Sequence, residues 1–357
     1  MKRVLFIIQF DSFAKTLIPT INNLIKDDYR CDVVLLKKRF KKGWITDQIL
    51  ALFKQIESKL NAFRQLYQPD VIRMIHHNGY DLIVVGTSNT RLIVSIKNQL
   101  KKKSIKSKIA SGYVGALLNN DFESFKKGLI RRSESDLIWV PGSDAKDMIL
   151  KIINKNQTKV IDTGLPRFDE LYKLKNNFSK LNNNNIVFFE QPTFPETKKE
   201  RTQLVNQLMH LAKLRSTSTI IIKPRFSKKV GHAHRPKYLL QDIINNSSNK
   251  PSNIIISNVD IYTLFNECAM ALTISSTAGL ESLLVNIPTY FIHDFCGKTN
   301  RYGSNDFASL NATISFDNLF NNRLPVIDYD KVKDFVRFDG DSTMRLTSAF
   351  KELMHRD

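Results

Sequence analysis

Acidic residues are in short supply in this chain. Against 54 Lys+Arg there are 34 Asp+Glu in 357 residues, a net charge of +20. The deficit is uneven, since residues 1–165 carry 29 basic and 15 acidic side chains, a net +14. Such a surface attracts polyanions, whether nucleic acid, anionic lipid or an acidic substrate. No zinc-finger spacing, helix-turn-helix pattern or RNP-like aromatic motif accompanies the basic clusters, so nucleic acid is not expected as a partner. Cysteine is scarce as well. Cys31, Cys268 and Cys296 are odd in number and far apart, which fits reduced thiols in the cytoplasm and supports neither a disulfide framework nor a zinc cluster. Nothing approaches the ~18 to 20 uninterrupted apolar residues of a membrane span. Also missing are a Gly-x-Gly-x-x-Gly after the first strand, a P-loop, a His-Glu-x-x-His and a Gly-x-Ser-x-Gly elbow, which argues against dinucleotide cofactor, ATPase, zincin and hydrolase readings. The expected chemistry uses no cofactor and no metal.

The remaining composition, 42% hydrophobic and 25% charged, is that of a globular protein with room for two cores. The opening MKRVLFIIQFDSF has a basic start and an apolar run, but the run is short, lacks a small-residue cleavage site and reads as a first strand. The excess charge comes in clusters: Lys37 to Lys42, Lys101 to Lys103 with Lys106 and Lys108, and Lys126-Lys127 with Arg131-Arg132. These lie among Phe40, Trp44, Phe122 and Phe125, a mixture that suits an anionic membrane surface; a plain solvated basic face is the other reading.

Apolar runs alternate with helical periodicity along the chain. Strands are expected at Arg3 to Phe10, Cys31 to Leu36, Asp81 to Val85, Ile105 to Ala110, Asp136 to Val140 and Lys159 to Ile161, with Asp11-Ser12-Phe13 as a loop after the first. Helices follow at Leu17 to Ile25, over Thr46 to Ile75 on a stripe through Ile49, Phe53, Ile56, Leu60 and Phe63, at Thr90 to Leu100 and at Ser143 to Ile153. Strand-helix alternation of this kind predicts a doubly wound α/β unit, with ligands at the carboxyl edge of the sheet, where Ser111-Gly112-Tyr113-Val114-Gly115 would form a loop. The polar stretch Lys173 to Asn185 reads as a linker. A second α/β unit then opens with Ile186 to Glu190, a helix at Glu196 to Leu214 and a strand at Thr219 to Lys223. The predicted division is 1–170, a linker 171–185, 186–335, and a last helix in 336–357 that crosses back to the first unit.

The stretch Asn253 to Ile292 carries the strongest functional pattern. Two buried strands, Ile254 to Ile256 and Ala269 to Ile274, flank a helix with Ile261, Leu264 and Phe265. The second strand ends in Ser275-Ser276-Thr277-Ala278-Gly279, and a new helix with Glu281 in its first turn follows. A hydroxyl-rich turn between strand and helix directs N–H groups and the positive helix end at one point, as a phosphate requires; it also reads as an ordinary helix cap. Lys223, Pro224 and Arg225 close the earlier strand with charge that suits a phosphate, although a strand-end lysine is often merely solvated. His232 and His234 lie among cations with no carboxylate or cysteine cluster, so a phosphate or carboxylate contact is expected there rather than a metal. Asp11, in the loop after the first strand, and Glu190, at the mouth of the other sheet, are the candidates for a general base, although each reads first as a loop cap or turn carboxylate.

The order of these motifs resembles the donor half of GT-B glycosyltransferases, in which a Ser/Thr/Gly turn holds the donor phosphate and a Glu of the next helix contacts the ribose. Gly164-Leu165-Pro166-Arg167-Phe168-Asp169 resembles the turn that ends the first domain of CDP-glycerol glycerophosphotransferases and nucleotide-sugar 2-epimerases. Phe188-Phe189-Glu190-Gln191-Pro192, the Lys199-Glu200-Arg201 helix, Ile221-Ile222-Lys223-Pro224-Arg225, His234 and Tyr238 together resemble a family of uncharacterised bacterial glycosyltransferases, over about residues 160 to 292. The resemblance implies a GT-B fold, two Rossmann-like domains facing a cleft. It implies a nucleotide-sugar donor held by Gln191, Lys223, Pro224, Arg225, His234, Ser275, Ser276, Thr277, Gly279 and Glu281. The expected acceptor is a glycan or lipid-linked glycan of a bacterial capsule or lipopolysaccharide, met at the inner face of the cytoplasmic membrane. In relatives that use CMP-activated ulosonic acids a His-Pro stands where this chain has Lys223-Pro224. A Ser-Ser or Ser-Thr stands at the later turn of those relatives, as Ser275-Ser276-Thr277 does here, and by that match a CMP-linked acidic sugar is one expected donor. The others are a CDP-linked alditol phosphate and a sugar nucleotide undergoing 2-epimerisation; a non-catalytic anion- or membrane-binding protein is the reading of a different class.

Overall fold

The computed structural model describes residues 1–37, 45–115, 122–153, 158–178, 184–191, 194–225, 237–295 and 304–355. Seven strands make the first sheet: β1 (Arg3–Ile8), β2 (Arg30–Leu36), β3 (Ala62–Leu66), β4 (Leu82–Gly86), β5 (Lys108–Gly112), β6 (Leu137–Val140) and β7 (Lys159–Asp162). Their order is β3-β2-β1-β4-β5-β6-β7, and every pairing is parallel. Six more, β8 (Ile186–Phe189), β9 (Ile220–Lys223), β10 (Ile254–Ile256), β11 (Met270–Thr273), β12 (Thr289–Ile292) and β13 (Thr313–Ile314), form the parallel sheet β10-β9-β8-β11-β12-β13. The expected pair of doubly wound sheets is what the chain forms.

Strands covered on both faces need continuous apolar runs, because helices pack on each side. Val4 through Ile8 and Leu82 through Val85 are accordingly fully buried. Each sheet reverses its order once, between β1 and β4 and between β8 and β11, and a crevice opens at the carboxyl ends of those strands.

The helix Ser342–His355 belongs spatially to the first sheet, as expected. Leu346, Ala349, Phe350, Leu353 and Met354 share a core with Val4, Phe6 and Trp139. Phe350 meets Trp139 edge-on at 5.7 Å between ring centroids, and burial of such side chains is worth ~1.5–3 kcal/mol each. Asp169 fixes the start of this helix. Its carboxylate accepts from the Ser342 and Thr343 amides at 3.1 and 2.7 Å. It thus caps a helix 173 residues on rather than the short one beside it. Gly164, at φ +78, leaves room for the same crossing, since a Cβ there would lie 2.4 Å from Ser342 Oγ and 2.5 Å from the Arg337 carbonyl.

Several local expectations are corrected. The single helix expected over Thr46 to Ile75 is a helix at Asp47–Lys54, the edge strand β3 and a second helix at Gln68–Asn78. Ile49, Phe53 and Ile56 are buried as read, but β3 has no fully buried position, so it lacks a strand's apolar signature, and Pro69 in the first turn starts the next helix. Asp11 opens the helix Asp11–Lys26 instead of lying in a loop. Ser111 and Gly112 end β5 rather than form a loop, with Gly112 so close under Trp139 that a Cβ would lie 2.1 Å from the indole. A helix at Phe122–Arg132 had no counterpart in the sequence reading. Its Arg132, taken for a surface charge, is 3% exposed and donates to the Gly112 and Thr87 carbonyls at 2.9 and 3.3 Å.

Candidate functional site

Strand register sets the floor of the site. Phe189 of β8 pairs with Thr273 of β11, and the Thr273 hydroxyl donates to the Phe189 carbonyl at 2.9 Å while accepting from the Ser276 amide at 3.2 Å. Glu190 and the Ser276-Thr277 turn are thereby held side by side at the switch point of the second sheet. Facing them, the helix that follows β1 presents Asp11, Ser12 and Lys15, with Val114 and Gly115 beyond β5. The two edges enclose a cavity of about 600 Å³, within the ~300–1,000 Å³ usual for small-molecule sites.

Each element of the wall has a local cause. Asp11 and Lys15 are four residues apart and lie on one helix face. Thr277 and Glu281 are likewise four apart on the helix Thr277–Leu284, which Ser276 caps by accepting from the Ala278 amide at 3.3 Å. Glu281 therefore lies one turn further along than the sequence reading placed it. Lys223 ends β9, Pro224 and Arg225 follow it, and all three line the cavity. Asp260 caps the helix Ile261–Asn266 through the Tyr262 and Thr263 amides at 2.9 and 3.1 Å.

The cavity carries charge of both signs: Lys15, Arg167, Lys223 and Arg225 against Asp11, Glu190, Asp260 and Glu281. Two of these carboxylates have dedicated partners. Glu190, 2% exposed, is 2.8 Å from Arg201, whose guanidinium also donates to the Pro195 and Gln191 carbonyls at 2.8 and 3.1 Å. Glu281 faces Arg167 at 3.9 Å. Burial raises the carboxyl pKa of Glu190 against the pull of Arg201, and that of Glu281 against Arg167, Lys15 and Arg225. Burial lowers the pKa of Arg225, opposed by Asp11 across the cavity, and that of Lys223, opposed by Asp260. Tyr262 is pushed up to about 12 by burial and by Glu281. A bound anion is the natural complement of such cations, since its charge-assisted contacts replace the water they lose in the cavity.

Of the sequence-predicted residues, Asp11, Glu190, Lys223, Pro224, Arg225, Ser276, Thr277 and Glu281 line this one cavity. Gly279 does not; it faces the sheet, where a Cβ would meet Thr273 at 2.7 Å and Phe291 at 3.0 Å. Gln191 and Ser275 stand beside the lining without forming part of it. His232, His234 and Pro192 lie outside the described residues. Sequence reading missed Lys15, Arg167 and Asp260. Lys15 was detectable from its spacing to Asp11, and Arg167 from the Gly-Leu-Pro-Arg turn, whose arginine had been assigned no task.

Residues 4–334 match the model of the family described as "Putative glycosyltransferase (DUF6716)". The chain belongs to that family. Comparison with curated proteins finds no match. Among solved structures this glycosyltransferase-family chain is similar to a UDP-N-acetylglucosamine 2-epimerase, described as putative, from Listeria monocytogenes, with a TM-score of 0.65 and 13% identity over 100% of this chain and 98% of that one. It is similar to the UDP-GlcNAc 2-epimerase of Neisseria meningitidis bound to UDP-GlcNAc, at 0.65 and 15% over 98% and 100%. It is also similar to CalG4, the calicheamicin glycosyltransferase, at 0.62 and 9% over 100% and 99%. Identities this low establish likeness of fold, and that fold is the two-domain GT-B arrangement.

Proposed function

We propose that the protein transfers a glycosyl group from a nucleotide sugar bound in the cavity between the two sheets. The observation that carries this reading is the division of labour across that cavity. Lys223, Arg225 and the N-terminus of the helix Thr277–Leu284 lie on one side and the Asp11 carboxylate on the other. The leaving phosphate would develop charge against the cations and the helix amides. Asp11 would take the proton of the acceptor hydroxyl as its oxygen attacks the anomeric carbon. Glu190 fits a different role from the catalytic one read from sequence. Pinned by Arg201 and almost wholly buried, it shapes the loop after β8 and positions the cavity wall.

A CMP-linked acidic sugar and a nucleoside-diphosphate sugar both carry two negative charges, and Lys15, Lys223 and Arg225 are the lining cations outside the Arg167–Glu281 pair. Thermal-shift measurements with CMP, CDP, UDP and GDP rank the bases, because a ligand that binds only the folded state raises its melting temperature. A rise with one nucleotide that is lost in Lys223→Ala supports the reading; no rise with any of the four overturns it. Ser276 is a poor probe, since removing this buried cap itself costs ~1 kcal/mol of stability.

The reading extends to an anionic membrane surface, where a capsule or lipopolysaccharide glycan would be met. Among the described residues no helix is long and apolar enough to cross a membrane. The helix Thr90–Lys102 packs beside the helix Phe122–Arg132, and Lys101, Lys102 and Lys103 at the end of the one and Lys126, Lys127 and the 54% exposed Ile130 on the other are all exposed. Phe125 packs on Tyr113 at 6.2 Å instead of facing outward, and Phe40 and Trp44 lie outside the described residues. Flotation with anionic but not neutral vesicles supports this docking; equal flotation with both, or with neither, removes it.

A further inference from the structure

A second cavity opens on the other side of the turn that follows β1. Gln9 and Phe10 line it, while the next two residues, Asp11 and Ser12, line the cavity between the sheets. Its volume is about 900 Å³, and its walls come from the carboxyl ends of β1 to β4 and from the helices Gln68–Asn78 and Thr90–Lys102.

Its lining chemistry differs in kind from that of the first. Among the described residues no carboxylate lines it, and the cations Lys37 and Arg73 do, Arg73 being paired at 2.6 Å with Asp70. Five side-chain amides face one space, among them Gln9, Gln68 and Asn89. These three are held in place: Asn89 donates to Gln68 Oε1 at 3.3 Å, and the buried Gln9 accepts from the Thr87 hydroxyl. With its oxygen so engaged, the Gln9 amide nitrogen has no partner among the described residues and is the group left to donate. Tyr67 stands in the wall, 40% exposed, with Lys37 Nζ 5.6 Å from its ring centroid. An exposed aromatic ring offers a flat apolar platform, oriented amides supply donors and acceptors together, and the Lys37 ammonium selects a negative charge.

We propose that this cavity binds a saccharide bearing an acidic group, with a sugar ring stacked on Tyr67, hydroxyls on the amide cluster and the acid against Lys37. The assignment of this saccharide as the acceptor rests on the glycosyltransferase reading above, in which the shared turn brings it up to Asp11. Its binding does not.

The test is calorimetric titration of the full chain with tetragalacturonic acid and with neutral maltotetraose, on wild type, Tyr67→Ala, Lys37→Ala and the surface control Lys126→Ala. Saturable binding of the acidic probe is expected, weakened about tenfold by Tyr67→Ala and less by Lys37→Ala, with Lys126→Ala unchanged. The neutral probe should bind more weakly and be indifferent to Lys37. Absence of saturable binding of the acidic probe overturns the proposal, as does loss of affinity in Lys126→Ala equal to that in Tyr67→Ala, which would show attraction to the basic surface at large. The nucleotide thermal shift of Tyr67→Ala separates the two proposals. An intact shift with saccharide binding lost leaves the donor site standing, whereas saccharide binding in a protein that no nucleotide stabilises refutes the proposed function alone.

Discussion

The two cavities flanking the turn after β1 are built on the same sheet edge and differ in the groups they present. The one between the sheets sets four cations against four carboxylates, with Glu190 and Glu281 already paired to arginines. The other has amides, a tyrosine ring and two cations, Lys37 and the Asp70-paired Arg73, with no carboxylate in its lining among the described residues. The doubly wound topology places a crevice at each carboxyl edge whatever the side chains are. Chemistry is therefore decided by a few residues just beyond the strand ends, and it is these that experiment can separate.

The sharpest way to test the division is Asp11→Asn, which keeps shape and removes the base. Turnover is expected to fall by roughly 10²–10⁴-fold while the thermal shift with nucleotide persists; a turnover close to wild type in assays of nucleotide release would move the base elsewhere. Next in size is Arg201→Met, which leaves Glu190 buried without its cation and is expected to cost about 3–5 kcal/mol in urea unfolding. The sign with pH follows from Glu190's raised carboxyl pKa. Its protonated form suits the buried site, so the variant's deficit should be small below the ordinary glutamate range and grow as pH rises through the folded-state value. A deficit that is flat with pH would detach Glu190 from the effect. Lys223→Ala should weaken nucleotide binding by about tenfold or more, the loss of one charge-assisted contact, and leave tetragalacturonate binding untouched. Weakening of both ligands would mean that the two cavities act as one. The smallest effect is expected for Asp169→Ala, about 1 kcal/mol for a lost helix cap. Faster amide hydrogen exchange confined to 342–355 checks it, and unchanged exchange there would show the helix to be held by its core contacts alone.

How far the sequence was legible tracks how local each signal is. Strands buried on both faces, such as Val4 to Ile8, announce themselves in any five-residue window, and so the two sheets were readable. The edge strand β3 was not, because half-exposed positions carry no apolar pattern and the stripe from Ile49 to Phe53 continued by chance through Leu60 and Phe63. Arg132 looked like one more surface charge beside Arg131, yet it is the one of that pair turned inward, to the carbonyls of Gly112 at the end of β5 and Thr87 just past β4. In the site, Ser276, Thr277, Lys223 and Asp11 were found because strand ends and helix starts are readable. Arg167 was missed because nothing in its neighbourhood names its partner, Glu281, 114 positions away.

What the sequence alone determined is the set of elements and the edge at which ligands gather, because apolar periodicity and turn chemistry are properties of neighbours in the chain. What only tertiary structure decided is which polar groups face one another. Asp169 caps a helix 173 residues distant, Gly164 yields space to it, and Asp11 and Arg225, from the two sheets, line one cavity. Such pairings depend on burial and on distances of a few ångströms between segments far apart in sequence, and no local pattern records them.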